Sequence, residues 1–185
     1  MLEPNFTPFP VLTTERLMLR AITLQDVEVE FKLRSGPDTM KFLDRDPMRS
    51  MAEAELRIKK ITSDLHMNDG ITWGISLKED PAHMIGTIGF WRIIKEHFRA
   101  EIGYMLLPEY CKQGIMKEAL VAVINYGFNE LKLHSIEANI NPDNIASASL
   151  LLATGFVKEA CFKENYYFNG RFLDSEIFSL VNTKK

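Results

Sequence analysis

Between residues 101 and 140 the chain lays down a strand, a short loop, a long amphipathic helix and a second strand in direct succession. Residues 101–107, Glu-Ile-Gly-Tyr-Met-Leu-Leu, read as a strand that Pro108 closes. From about residue 114 to residue 131, Met116, Leu120, Ile124 and Phe128 recur four apart with Val123 beside them, so they share one helix face. Residues 135–140 form a strand, with Ile136, Ala138 and Ile140 on one side. A long helix between two strands has to return the chain to a parallel neighbour, whereas antiparallel partners need only a tight turn. The segment therefore reads as a crossover inside a mixed α/β fold.

The flanking sequence fills in the rest. Thr14-Glu15-Arg16-Leu17-Met18-Leu19-Arg20 alternates polar and apolar residues as a strand does. Thr23 followed by Asp26 offers a cap for a helix starting near Leu24 and stopping by Gly36-Pro37. A second helical stretch covers about 48–66, with Glu53, Glu55, Arg57, Lys59 and Lys60 on its wet side. Strands at 72–77 and 84–94, turned at Glu79-Asp80-Pro81, lead into the 101–107 strand as an antiparallel meander. Asn141-Pro142-Asp143-Asn144 opens a further helix that Gly155 closes. Final strands at about 157–167 and 172–181 meet at Asn169-Gly170, a strong hairpin signal. The order is β-α-α-β-β-β-α-β-α-β-β, with no linker or repeat, so residues 1–185 read as a single domain.

Composition narrows the partners. At 185 residues the chain can bury a core without metal or disulfide staples. A net charge of −3 argues against global attraction to nucleic acid or an anionic membrane. Cys111 and Cys161 show no zinc-type spacing, nor do the histidines His66, His83, His97 and His134, so no metal is expected. The start lacks a secretory pattern, and no apolar run reaches the ~18 residues a membrane span needs. The expectation is a soluble cytoplasmic protein with reduced thiols, its oligomeric state open, a homodimer included.

Chemistry concentrates at the two strand-to-helix junctions. In Cys111-Lys112-Gln113-Gly114-Ile115-Met116-Lys117 a loop ends and a helix begins. The first N–H groups of a helix have no internal partner, and with the helix dipole they attract an anion such as phosphate. Gly114 lets such a group approach the backbone, and Lys112 and Lys117 add positive charge. In the second junction Asn144 is a plausible helix cap, with Ser147 in the first turn. If the two strands are neighbours, both helix starts open into one crevice at their carboxyl ends, where open α/β sheets bind ligands. Each junction read alone is equally an ordinary turn with its cap. Neither GxxxxGK[ST] nor GxGxxG is present, which weakens a generic nucleotide-binding reading.

These segments, in this order, resemble the Gcn5-related N-acetyltransferases (GNAT), in the branch similar to the RimJ/RimL ribosomal-protein acetyltransferases. The likeness rests on residues 14–20, on Ala100-Glu101-Ile102-Gly103-Tyr104, on Gln113 to Ala119, and on Asn144 to Ser147 through Gly155-Phe156. The loop departs from the usual pattern, with Cys111, Gly114 and Met116 at its fixed positions and Lys112 where a second glycine is common. The resemblance implies a mostly antiparallel sheet of about seven strands with four helices and splayed central strands. It implies acetyl transfer from acetyl-CoA, as co-substrate, to an amine of a protein N-terminus or a small molecule. Backbone groups of Met105, Leu106 and Leu107 would lie along the pantetheine arm, with an N–H near Met105 polarising the thioester. Lys112, Gln113, Gly114, Ile115, Met116 and Lys117 would hold the diphosphate, and Asn144 and Ser147 would bond the arm or the acetyl end. Glu101 is the candidate base, and Ser147 or Tyr166 the candidate partner of the departing thiolate. The family branch often carries a glutamate base just before the Asn-Gly turn, a position that Tyr166 holds here, with Glu164 close by. A non-catalytic acyl-CoA-binding regulator on the same fold is the alternative.

Overall fold

The computed structural model describes residues 1–183. Its strands are β1 (Leu12–Thr13), β2 (Leu17–Ala21), β3 (Ile71–Leu77), β4 (Asp80–Ile94), β5 (Arg99–Leu106), β6 (Ser135–Ile140), β7 (Val157–Phe168) and β8 (Arg171–Val181). They form one sheet in the order β1-β2-β3-β4-β5-β6-β8-β7, antiparallel throughout except at β5 and β6. The helices are α1 (Val27–Ser35), α2 (Pro37–Met40), α3 (Met51–His66), α4 (Ile115–Asn129) and α5 (Ile145–Ala153). As the crossover argument requires, α4 carries the chain from β5 to its parallel neighbour β6.

Local sequence explains most of the boundaries. The Thr23–Asp26 capping box is present, and Arg20 holds Asp26 through two hydrogen bonds of 2.9 and 2.7 Å. Helix α3 starts at Met51 rather than near Met48, because Ser50 caps it by accepting from the Glu53 N–H. Met48 instead donates its N–H to the Arg34 carbonyl. Asn169 and Gly170 both sit at positive φ, 47° and 78°, as a tight hairpin turn requires. Beyond the expected elements, β1 adds a two-residue strand and α2 a four-residue helix. Strand β4 also begins at Asp80, inside the expected turn, and it includes His83.

Successive side chains on a strand face opposite sides of a sheet, and here both sides are covered. One core packs Ala100, Ile102, Ile136, Ala138 and Phe178 against Ala119, Leu120 and Val123 of α4 and Leu151 of α5. The other joins Met84, Met105 and Leu107 to Val29 and Leu33 of α1 and Ile58 and Ile61 of α3. Chemistry on β5 can therefore face either helix layer.

Candidate active site

Strands β5 and β6 pair only at Arg99↔Ser135, Ala100↔Ile136 and Glu101↔Glu137. Beyond that rung β5 stays with β4 as far as Leu106, and β6 stays with β8 as far as Ile140. The two strands part, and one flank of β5 is left without a ladder.

Register decides which backbone groups face the gap. The Leu107 N–H donates to the Ile85 carbonyl at 3.0 Å. Residues on an antiparallel strand alternate between facing one neighbour and the other. Gly103, Met105 and Leu107 therefore bond toward β4, and Tyr104 and Leu106 direct their N–H and C=O into the gap. This corrects the expectation for Met105 and Leu107. The Leu107 carbonyl is also engaged, accepting from the Tyr110 N–H at 3.0 Å. The backbone groups that face the gap are those of Tyr104 and Leu106.

At the end of this gap lies the loop before α4. Lys112 sits at φ 60° and Gly114 at φ 77°, so the backbone twice enters the left-handed region. Among the described residues, no backbone or side-chain acceptor takes the N–H groups of Lys112, Gln113, Gly114, Ile115, Met116 or Lys117. Such a run of unpaired amides at a helix start makes a concave anion site. The Ile115 side chain is buried in the core, so only its backbone is available there. A Cβ on Gly114 would have room, its nearest neighbour being Arg16 Nη2 at 3.5 Å. Gly114→Ala should therefore cost only the backbone strain, about 1 kcal/mol. In thermal unfolding this is a melting temperature lower by about 2–4 °C.

A cavity of about 380 Å³ opens over the parted strands, walled by Trp91, Glu101, Tyr104, Asn144, Ser147 and Tyr166 among others. A larger cavity of about 740 Å³ lies between β1 and α4 and reaches Gly114 and Lys117. Glu101 and Tyr104, both on β5, line the smaller one. Glu101 is half-buried, and its carboxyl is pushed up to about 7. Burial is the main cause; the adjacent Glu137 adds to it, and Arg92 and Arg99 oppose it. Glu137 is itself held by Arg99 at 3.5 Å.

Ser147 is buried at the start of α5, and its N–H donates to Asn144 Oδ1 at 3.1 Å. Its Oγ lies 2.7 Å from the Tyr104 hydroxyl. Tyr104 was not singled out from the sequence, although its strand was, because its partner stands on a helix 43 residues away. Burial pushes the Tyr104 phenol up to about 12, against the Ser147 hydrogen bond. Tyr166 is exposed on β7 and walls the same cavity. Glu164 is exposed in the β7 bulge at φ 51°, with its N–H on Asp174, and does not line the cavity. Trp91, 56% exposed, lies over Gly103, where an added Cβ would meet its ring at 3.3 Å. Among the described residues, no group of three or more His, Cys, Asp or Glu side chains is arranged to hold a metal.

A family model described as an acetyltransferase (GNAT) domain matches residues 16–157, so the chain belongs to the GNAT family of acetyltransferases. An uncharacterized N-acetyltransferase of Bacillus subtilis, YoaA, is 38% identical over 177 residues, which is 96% of this chain and 99% of the relative. The ribosomal-protein-serine acetyltransferase of Escherichia coli is 31% identical over 117 residues, 63% of this chain and 64% of that protein. Among solved structures, RimL, the ribosomal L7/L12 α-N-protein acetyltransferase, in complex with coenzyme A superposes with a TM-score of 0.85. That match is 22% identical and covers 95% of this chain and 100% of RimL. The protein is an N-acetyltransferase with a RimL-like fold.

Proposed function

We propose that the protein moves the acetyl group of acetyl-CoA onto a primary amine, of a protein N-terminus or a small molecule, by direct attack of the amine on the thioester. One observation carries this reading: β5 and β6 separate after Glu101 and Glu137, and the gap runs to the unpaired amides around Gly114. An extended pantetheine arm fits such a gap as an added strand, bonding to the free backbone groups of Tyr104 and Leu106. The amides of residues 112–117, with Lys112 and Lys117, suit a diphosphate.

An ammonium has no lone pair, so the acceptor must first lose a proton. Glu101 takes it, directly or through a water, at a pKa suited to neutral pH. The amine nitrogen then bonds to the acetyl carbon while the carbon–sulfur bond breaks. The Tyr104 or Leu106 N–H stabilises the charge that builds on the carbonyl oxygen. Ser147 gives the departing sulfur a proton and recovers one, through solvent, from the nitrogen, which loses its second proton as the amide forms. Glu101 returns the first proton to solvent, and the products are the acetylated amine and free CoA. A protein acceptor is supported by the Escherichia coli relative, which is named a ribosomal-protein-serine acetyltransferase.

The test is release of free CoA thiol from acetyl-CoA against panels of peptides, polyamines and aminoglycosides. Amine-dependent release is the expected result. Binding of acetyl-CoA with no turnover on any amine would favour the non-catalytic regulator. No rise in melting temperature with millimolar acetyl-CoA would overturn the co-substrate assignment itself.

A further inference from the structure

The unpaired amides around Gly114 do not hold their shape alone. Glu118, one turn into α4, is clasped by the corner between β1 and β2. Its Oε1 accepts from Thr14 Oγ1 at 2.5 Å and from the Arg16 N–H at 2.8 Å. Its Oε2 accepts from Arg16 Nε at 2.7 Å. The same guanidinium donates from Nη1 to the Gln113 carbonyl at 3.1 Å. Thr14 Oγ1 completes the corner by accepting the Leu17 N–H at 3.0 Å. Partial burial works against ionisation of Glu118, yet the bonds from Thr14 and Arg16 hold its carboxyl below the usual range.

Two consequences follow from elementary geometry and charge. In a planar trans peptide the C=O of one residue and the N–H of the next point in opposite directions. By holding the Gln113 carbonyl, Arg16 aims the Gly114 N–H away from itself, into the open side of the loop. Secondly, Glu118 is a carboxylate within a turn of a site read as anion-binding, and it would repel a diphosphate. The Arg16 guanidinium cancels that charge in place.

We infer that Arg16, with Thr14 and Glu118, is a positioning device for the diphosphate loop: it orients the Gly114 amide and neutralises Glu118 without itself touching the ligand. The inference rests on the proposed acetyl-CoA reading. It assigns a role to a corner about 100 residues earlier in the chain, since Arg16 and Glu118 are 102 positions apart.

Calorimetric titration of the full-length protein tests it without knowledge of the acceptor. The probes are CoA and 3′-phosphoadenosine 5′-diphosphate, the diphosphate-bearing half of CoA. Arg16→Ala should weaken both by about tenfold. Arg16→Lys, which keeps the charge but loses the fork, should fall between it and wild type. The double variant Arg16→Ala/Glu118→Ala should regain part of the loss, because the exposed carboxylate is gone. In a ¹⁵N–¹H spectrum, the Gly114 amide should shift when 3′-phosphoadenosine 5′-diphosphate is added to wild type, and by much less in Arg16→Lys. Unchanged affinity for both probes in folded Arg16→Ala, or in Arg16→Lys should the alanine variant not fold, overturns the inference. Failure of wild type to bind CoA overturns the acetyl-CoA reading instead.

Discussion

Glu101→Gln is expected to lower kcat/KM by about 10²- to 10⁴-fold, the usual range for losing a positioned general base. The pH profile carries more information than the magnitude. Wild type should gain activity as pH rises through about 7, where Glu101 ionises, and then level off until the acceptor amine's own limb appears. In the glutamine variant the limb near 7 should vanish and the amine's limb remain. Glu137→Gln should move the wild-type limb toward acid, because it removes the like charge on the facing rung of β6. An unshifted limb in Glu101→Gln would show that another group is the base.

The same group gives a stability signature that misfolding cannot imitate. The folded protein holds the Glu101 proton up to about 7, against an ordinary value of 4.5. The folded state therefore binds more protons than the unfolded chain between those values, and Glu101 lowers stability as pH rises across that window. Glutamine is free of this effect. Glu101→Gln should melt higher than wild type at pH 8, with the difference shrinking on acidification and gone below about pH 4.5. A variant that is both inactive and more stable at pH 8 has lost a base, not a fold.

What the sequence revealed of this site tracks the range of the interactions involved. The crossover was legible because a 3.6-residue period between two strands allows few other topologies. The Asn169-Gly170 turn and the Asn144 cap were legible because their causes lie within four residues. Strand β1 has only two residues, too short for any period, and exists because Leu12 and Thr13 find partners on β2. The gap-facing residues of β5 were displaced by one position, since the phase of a ladder depends on where the Leu107–Ile85 bond falls, and alternation alone does not fix it. The Tyr104–Ser147 and Arg16–Glu118 contacts join residues 43 and 102 positions apart, and no local pattern encodes such pairs.

Ser147→Ala is expected to lower kcat by about 10²-fold, and Tyr104→Phe by about tenfold. The difference follows from the direction of the shared hydrogen bond. With its phenol pushed up to about 12, Tyr104 stays protonated throughout any practical assay. A phenol that keeps its proton can donate to Ser147 Oγ across the 2.7 Å contact, and in the proposed mechanism it does so, which leaves the serine proton free to point into the gap. Ser147 supplies that proton to the sulfur; Tyr104 only aims it. Losses through one proton do not add, so the double variant should be no worse than Ser147→Ala. The alanine keeps the backbone N–H that bonds Asn144, so the start of α5 is preserved. Leaving-group dependence then separates proton donation from mere packing. A thiol of ordinary pKa, about 8.5, gains from protonation as it departs. An acetyl thioester of a much more acidic aryl thiol has little need of it. The Ser147→Ala penalty should therefore be large with acetyl-CoA and shrink several-fold with the aryl thioester. An equal penalty with both donors would remove Ser147 from the proton path and leave Tyr166, which also lines the cavity, as the residue to test next.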